Sequence, residues 1–200
     1  MRYYLGAAVA ALLLAGPAAA GVTVVESASG GGNQGNVIFA NCSSGTVGSG
    51  ELLGCLNGNP DALVRFASNG DSLFSPSGGQ ARIEAQDGAF DDLTIDFLDS
   101  GHFFDRLVLN INALANGTVT FDGQIFNLSK NGNNFFTLTF DTAVNLFSFT
   151  TSAGVIADVR QVRIRQADGP TPEPVPEPAV AGLLGLALAG LGLARRRRRA

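Results

Sequence analysis

The sequence lacks tryptophan and contains only one methionine, one histidine and two cysteines in 200 residues. A Ser-His-Asp triad would have to use His102, and no Gly-x-Ser-x-Gly elbow accompanies it. Because His102 follows Ser100 and Gly101, we expect it to lie in a turn that enters a strand. The scarcity of residue types used in catalysis favours a protein that is not an enzyme.

Positive charge is also scarce in the middle of the chain. Residues 21–169 contain seven basic and fifteen acidic residues, hence a net charge of −8, whereas the whole chain carries −4. Affinity for nucleic acids depends on contacts between basic side chains and phosphates. An acidic domain without a basic cluster is therefore not expected to bind DNA or RNA.

Residues 1–20 have the pattern of a secretory signal peptide. Arg2 supplies one positive charge, an apolar run follows to Leu14, and the small residues Ala18 and Ala20 end the segment. The apolar run is shorter than the roughly 20 residues of a membrane span. We predict cleavage between Ala20 and Gly21; an uncleaved N-terminal anchor is the alternative.

Residues 21–169 show the pattern of an all-β domain. Short apolar or alternating runs are separated by turn pairs such as Asn116-Gly117 and Asp122-Gly123. The clearest runs cover residues 93–97, 107–111, 136–140 and 159–165. Without intervening helical patterns, they indicate an antiparallel sandwich or barrel, and we predict a jelly-roll-like β-sandwich with a phenylalanine-rich core.

Cys42 and Cys55 are separated by twelve residues in a segment rich in glycine, serine and asparagine. An exported domain meets an oxidising compartment, so we predict that the two cysteines form a disulfide. Closing such a loop would stabilise the fold by about 3 kcal/mol in the chain-entropy model. A zinc site is the weaker alternative, because two thiols and one histidine are too few ligands.

A group of aspartates offers the best candidates for metal ligation: Asp87, Asp91, Asp92, Asp96, Asp99 and Asp105. Carboxylate oxygens are preferred ligands of Ca²⁺, and Asp87, Asp91 and Asp92 are weak candidates for such a site. The spacing is not that of an EF-hand. Asp96 alternates with Ile95 and Phe97, which predicts the solvent face of a strand. Solvated surface acids are the favoured interpretation; calcium binding and a glycosidase carboxylate pair remain alternatives.

The end of the chain divides into three parts. Residues 170–178 form a proline-rich linker, residues 179–194 are sixteen uncharged residues, and five arginines follow. A helix of that length spans about 24 Å, which crosses a hydrocarbon core of about 30 Å if the arginines extend to the surface. We predict a short transmembrane helix with an arginine-rich cytoplasmic tail over residues 179–200, which leaves the β domain outside the inner membrane.

These three parts, in this order, closely resemble the C-terminal sorting signal of the PEP-CTERM family. The matching residues are Pro176, Glu177 and Pro178 of the box, the apolar segment, and Arg195, Arg196, Arg197, Arg198 and Arg199. The resemblance implies processing by an exosortase, a membrane-embedded enzyme, in a Gram-negative bacterium that makes exopolysaccharide. Residues 172–174 are a near-copy of the box. A plain anchor with a proline-rich stalk is the alternative.

The sequence therefore predicts a non-enzymatic exported protein, first anchored in the inner membrane and then located at the cell surface or in the exopolysaccharide matrix. Its expected partners are an exosortase, the inner membrane during export, and exopolysaccharide. The alternative is a carbohydrate-binding module, with or without calcium. Tyr3 and Tyr4 lie in the signal peptide, so sugar stacking by the body would depend on phenylalanine. A hydrolase is the third class.

Overall fold

Thirteen β-strands form the regular structure in the computed structural model, which describes residues 21–27, 34–76, 82–130 and 132–169. The strands are β1 (Val22–Val25), β2 (Gly35–Ile38), β3 (Leu52–Leu56), β4 (Asn59–Ala67), β5 (Leu73–Phe74), β6 (Arg82–Ala85), β7 (Asp92–Phe97), β8 (Phe103–Ala113), β9 (Gly117–Phe121), β10 (Gln124–Leu128), β11 (Asn134–Val144), β12 (Leu146–Thr151) and β13 (Ile156–Ala167). These ranges contain no helix, so the all-β prediction is confirmed.

Several predictions concern residues outside these ranges. The signal peptide with its cleavage residues Ala18 and Ala20, the linker, the sorting box and the C-terminal segment all lie outside the described residues. None of the residues that the structure describes belongs to a helix long and apolar enough to span a membrane.

The strands pair antiparallel in a single sheet with the order β1-β11-β8-β13-β2-β3-β4-β7-β12-β9-β10, and β6 and β5 extend from β13. Strand β2 connects the two halves of the sheet, because its first residues pair with β13 and its last residues pair with β3. The sheet curls, so that β8 and β11 lie opposite β7, β9 and β12. The architecture is a curled antiparallel sheet that resembles half of a barrel.

Phenylalanine rings fill the interior of the curl, as the composition predicts. Rings from strands that are not sheet neighbours contact each other: Phe121 of β9 lies 4.9 Å from Phe136 of β11, and Phe140 of β11 lies 5.1 Å from Phe147 of β12. Seven phenylalanines are among the largest fully buried side chains: Phe66, Phe90, Phe97, Phe104, Phe121, Phe136 and Phe149. Aromatic burial therefore contributes to holding the two parts of the sheet together, beside the aliphatic residues of the same core.

The turn between β9 and β10 follows directly from the local sequence. Phe121 pairs with Gln124, which leaves Asp122 and Gly123 as a two-residue loop. Both have positive φ angles, 47° and 77°, as a type I′ hairpin turn requires. The predicted turn pair therefore sets the register of this hairpin.

Strand β13 separates apolar and charged side chains between its two faces. Val162 and Ile164 are buried, whereas Arg163 and Arg165 are partly exposed, as the alternation predicts. The register shifts between Arg160 and Arg163, where Gln161 has a φ of 53°. This bulge keeps the apolar residues on both sides of it directed into the core.

Asp158 lies at the centre of an ion-pair network on the outward side of β13. Its side chain is 0% exposed and accepts hydrogen bonds from Arg160, from Arg82 Nη2 (3.1 Å) and from Asn112 Nδ2 (2.8 Å). Burial alone would raise the pKa of Asp158. The hydrogen bonds from Arg160 and Asn112 and the charges of Arg160 and Arg82 outweigh this effect, so the pKa lies below its usual value.

Candidate functional site

The aspartates singled out in the sequence do not gather into one site. Asp87 is exposed in the turn after β6. Asp99 accepts a hydrogen bond from the backbone N–H of Gly101 (2.9 Å), and Asp105 forms an ion pair with Arg165 (2.6 Å). The three side chains lie in three different places, and Asp87 does not belong to the cluster that contains Asp91 and Asp92.

Asp96 is buried rather than solvated, so the prediction of a solvent-facing side chain is wrong. Only 6% of the residue is exposed, because Arg65 of the neighbouring strand lies directly opposite and covers it. Both carboxylate oxygens accept hydrogen bonds from this guanidinium, at 3.0 and 3.1 Å, and Arg65 also contacts Glu51. Alternation along one strand cannot reveal such a partner, because the partner comes from a different strand.

Asp91 and Asp92 do lie together, and the third member of their cluster is Asp71, which is not among the aspartates predicted from the sequence. One carboxylate oxygen from each lies within 4.8 Å of the others. The chain folds the β4–β5 connection against the start of β7, which brings residues distant in sequence together. Spacing offered no signal for this contact.

Hydrogen bonds within the chain already occupy part of this acidic cluster. Ser68 Oγ lies 3.0 Å from both Asp71 Oδ2 and Asp92 Oδ1, so its single hydroxyl proton is shared between the two carboxylates. The backbone N–H of Asn69 donates to Asp92. Ca²⁺ takes six to eight oxygen ligands, and three carboxylates supply only part of such a set. The clear role of the cluster is to fix the turn after β4.

Cys42 and Cys55 form the predicted disulfide. Cys55 is fully buried in β3, and Cys42 lies in the segment that follows β2, with a Cα–Cα distance of 5.5 Å. The bond ties the irregular segment before β3 to the sheet.

His102 occupies the predicted position immediately before β8, and its Nδ1 lies 3.2 Å from Gln166 Nε2.

A polar groove opens where the two ends of the curled sheet approach each other. Strands β1 and β10 stand at opposite ends of the strand order, yet Gln124 Nε2 donates to the backbone oxygen of Val22 at 2.8 Å. Beyond this contact, the segment that follows β1 and the end of β10 border a space of about 330 Å³. It is lined by Glu26, Ser27, Asn127, Ser129, Asn133, Asn134, Phe135 and Phe136.

The groove lies beyond the last residue of β1, beside the first residues of β11. Val25, the last residue of β1, pairs with Thr137, so the first three residues of β11 extend beyond their neighbour. Asn134 secures this extension: its Nδ2 donates to the backbone oxygen of Ile111 (2.9 Å), and its Oδ1 accepts from the N–H of Ser129 (2.8 Å). On the other side, Thr137 Oγ1 donates to the backbone oxygen of Ser27 at 2.8 Å. Both walls are therefore held by hydrogen bonds.

Several polar side chains in the groove remain available to a ligand. Within the described part of the chain, no hydrogen bond engages the side chains of Glu26, Asn127 or Ser129, and all three residues are exposed. Phe135 adds a half-buried aromatic ring beside them. The groove thus combines many hydrogen-bond donors and acceptors with phenylalanine, and it is more polar than a typical small-molecule pocket, so a matching ligand is itself rich in polar groups.

Comparisons with protein-family models, with curated proteins and with solved structures found no match for this chain. The chain is therefore described by its own structure, an acidic, disulfide-containing all-β domain with a polar groove between the two end strands of its sheet.

Proposed function

We propose that this chain is an exported, non-enzymatic protein of the cell surface or exopolysaccharide matrix, sorted through its C-terminal PEP-CTERM signal. The observation that carries the proposal is the order of the last 25 residues: the box at residues 176–178, the apolar segment and the five arginines. An exosortase processes the precursor while the apolar segment sits in the inner membrane. The mature protein then reaches the surface or matrix of a Gram-negative bacterium.

Two features of the β domain support this proposal. The disulfide suits a protein that folds in an oxidising compartment, since such bonds rarely persist in the cytosol. Asp96 and Asp105 form ion pairs and Asp99 holds a turn, which suits a structural role better than catalysis. We further propose that the curled sheet is a jelly-roll-like β-sandwich, because phenylalanine rings of β11 pack on those of β9 and β12.

The test is the intact mass of the protein recovered from its own host, after separation into inner membrane, surface matrix and medium. We expect a species that begins at Gly21, ends near Pro178 and lies outside the inner membrane. Replacing residues 176–178 with alanines should leave an uncleaved, membrane-bound chain. The same replacement at residues 172–174 is the matched control and should be processed normally. A wild-type protein that keeps its arginines in the inner membrane would overturn the proposal.

A further inference from the structure

We propose that the groove between β1 and β10 binds an uncharged glycan chain, and this inference rests on the proposed matrix function. The described residues that border the groove are held by hydrogen bonds to β8 and β11, so a polymer that lies along it meets side chains already in place. Sugars present many hydroxyl groups that both donate and accept hydrogen bonds, together with apolar ring faces. The binding partner must match both properties.

The free side chains of the groove match this chemistry. Asn127 supplies an amide donor and acceptor, Ser129 a hydroxyl group, and Glu26 a carboxylate that accepts from hydroxyl groups. The ring of Phe135 is half-buried and offers the apolar surface for a sugar face. The polar groups come from two segments, the one that follows β1 and the end of β10. Both segments are hydrogen-bonded to β11, through Thr137 and Asn134, so their positions are set before a ligand arrives.

The charge of the site favours an uncharged polymer over an anionic one. Glu26 is the ionisable side chain that lines the groove, and residues 21–169 carry a net charge of −8. A chain of uronate or sulfate groups would be repelled by both. Neutral sugar units avoid this repulsion and keep the hydrogen bonds.

An extended peptide added as a further strand fits the groove less well. Such binding depends on a row of free backbone groups along a sheet edge. The backbone N–H of Asp141 donates to the backbone oxygen of Gly21. In an antiparallel pair, every second residue of a strand directs its backbone groups toward the neighbouring strand. In β11 these residues are Thr139, Thr137 and then Phe135. Beyond the end of β1, Phe135 is the one such residue in β11. The side chains therefore dominate recognition.

The experiment measures retention of the full-length protein, purified in mild detergent, by polysaccharides cast in native gels. The probes are neutral dextran, laminarin and galactomannan, and anionic polygalacturonate. We expect retention by at least one neutral polymer and not by polygalacturonate. Phe135→Ala should weaken it about five- to tenfold, the loss of one aromatic contact. Asn127→Ala and Ser129→Ala should also weaken it, and neither side chain forms a hydrogen bond within the described residues.

Ile125→Ala is the matched control, because Ile125 is 69% exposed on the same strand and does not line the groove. It should bind like the wild type. Absence of retention by all neutral polymers, or retention that none of the three groove variants weakens, overturns the inference. If an extended peptide binds where no neutral polymer does, the groove is assigned to strand addition. Host fractionation is unaffected by these outcomes, so failure here is distinct from failure of the proposed function.

Discussion

Replacing Asp158 with asparagine removes the negative charge from the most deeply buried ionised side chain among the described residues. Donors on three residues, Arg82, Asn112 and Arg160, converge on this carboxylate, and Arg160 donates twice. An asparagine keeps the shape but directs an NH₂ group at one or more of these donors. The variant therefore loses both the ion pairs and part of the hydrogen bonding.

The size of the expected stability loss follows from how deeply the carboxylate of Asp158 and its two arginine partners are buried. Breaking a fully buried ion pair by removing one partner costs about 3–5 kcal/mol. The side chains of Arg82 and Arg160 are 41% exposed, so water can solvate each guanidinium once the carboxylate charge is gone. We therefore expect Asp158→Asn to lower the free energy of unfolding by about 2–3 kcal/mol.

The assay is equilibrium unfolding in urea of the purified full-length protein. The midpoint should fall with an unchanged slope, and the melting temperature should drop by about 4–12 °C. Asp105→Asn is the matched control: Asp105 pairs with Arg165, but its side chain is 30% exposed, so the loss should be about 0–1 kcal/mol. Equal effects of the two substitutions, or a smaller effect at Asp158, would refute the reasoning from burial.

The same network makes the free energy of unfolding depend on pH, because the pKa of Asp158 is lowered in the folded state. The stabilisation from Asp158 is complete above the unfolded pKa of about 4 and is lost as pH falls through the folded pKa. The stability gap between wild type and Asp158→Asn should therefore stay constant from neutral pH to about pH 5 and narrow below about pH 4; a gap that widens on acidification would contradict this sign. Replacing Cys42 and Cys55 with serine should lower the free energy of unfolding in urea by about 3 kcal/mol. A reductant should then destabilise the wild type and leave the double variant unchanged. A double variant as stable as the wild type would show that the disulfide does not stabilise the fold. Asp92→Ala should lower the free energy of unfolding by about 1–2 kcal/mol, because Asp92 accepts hydrogen bonds from Ser68 and Asn69. Asp91→Asn should be near neutral in thermal unfolding, because no such acceptor role is seen for Asp91 in the described residues. Equal losses in the two variants would contradict this role of the cluster.

Local patterns in the sequence were sufficient for the strand class and for some details of it. Alternation along residues 159–165 correctly divided Val162 and Ile164 from Arg163 and Arg165, because neighbouring side chains on a strand point to opposite faces. Asp122-Gly123 correctly marked a hairpin turn, since the backbone conformation there depends on those two residues alone. The two cysteines sufficed for the disulfide because there was no other pairing to choose.

Contacts between distant segments were decided by the tertiary structure. Asp96 is covered by Arg65 from the adjacent strand, and Asp71 joins Asp91 and Asp92 only after the β4–β5 connection folds against β7. The groove depends on two strands at opposite ends of the sheet order, and on β1 ending before β11. A linear pattern reports the faces of one strand, whereas partners, burial and gaps depend on how the sheet curls.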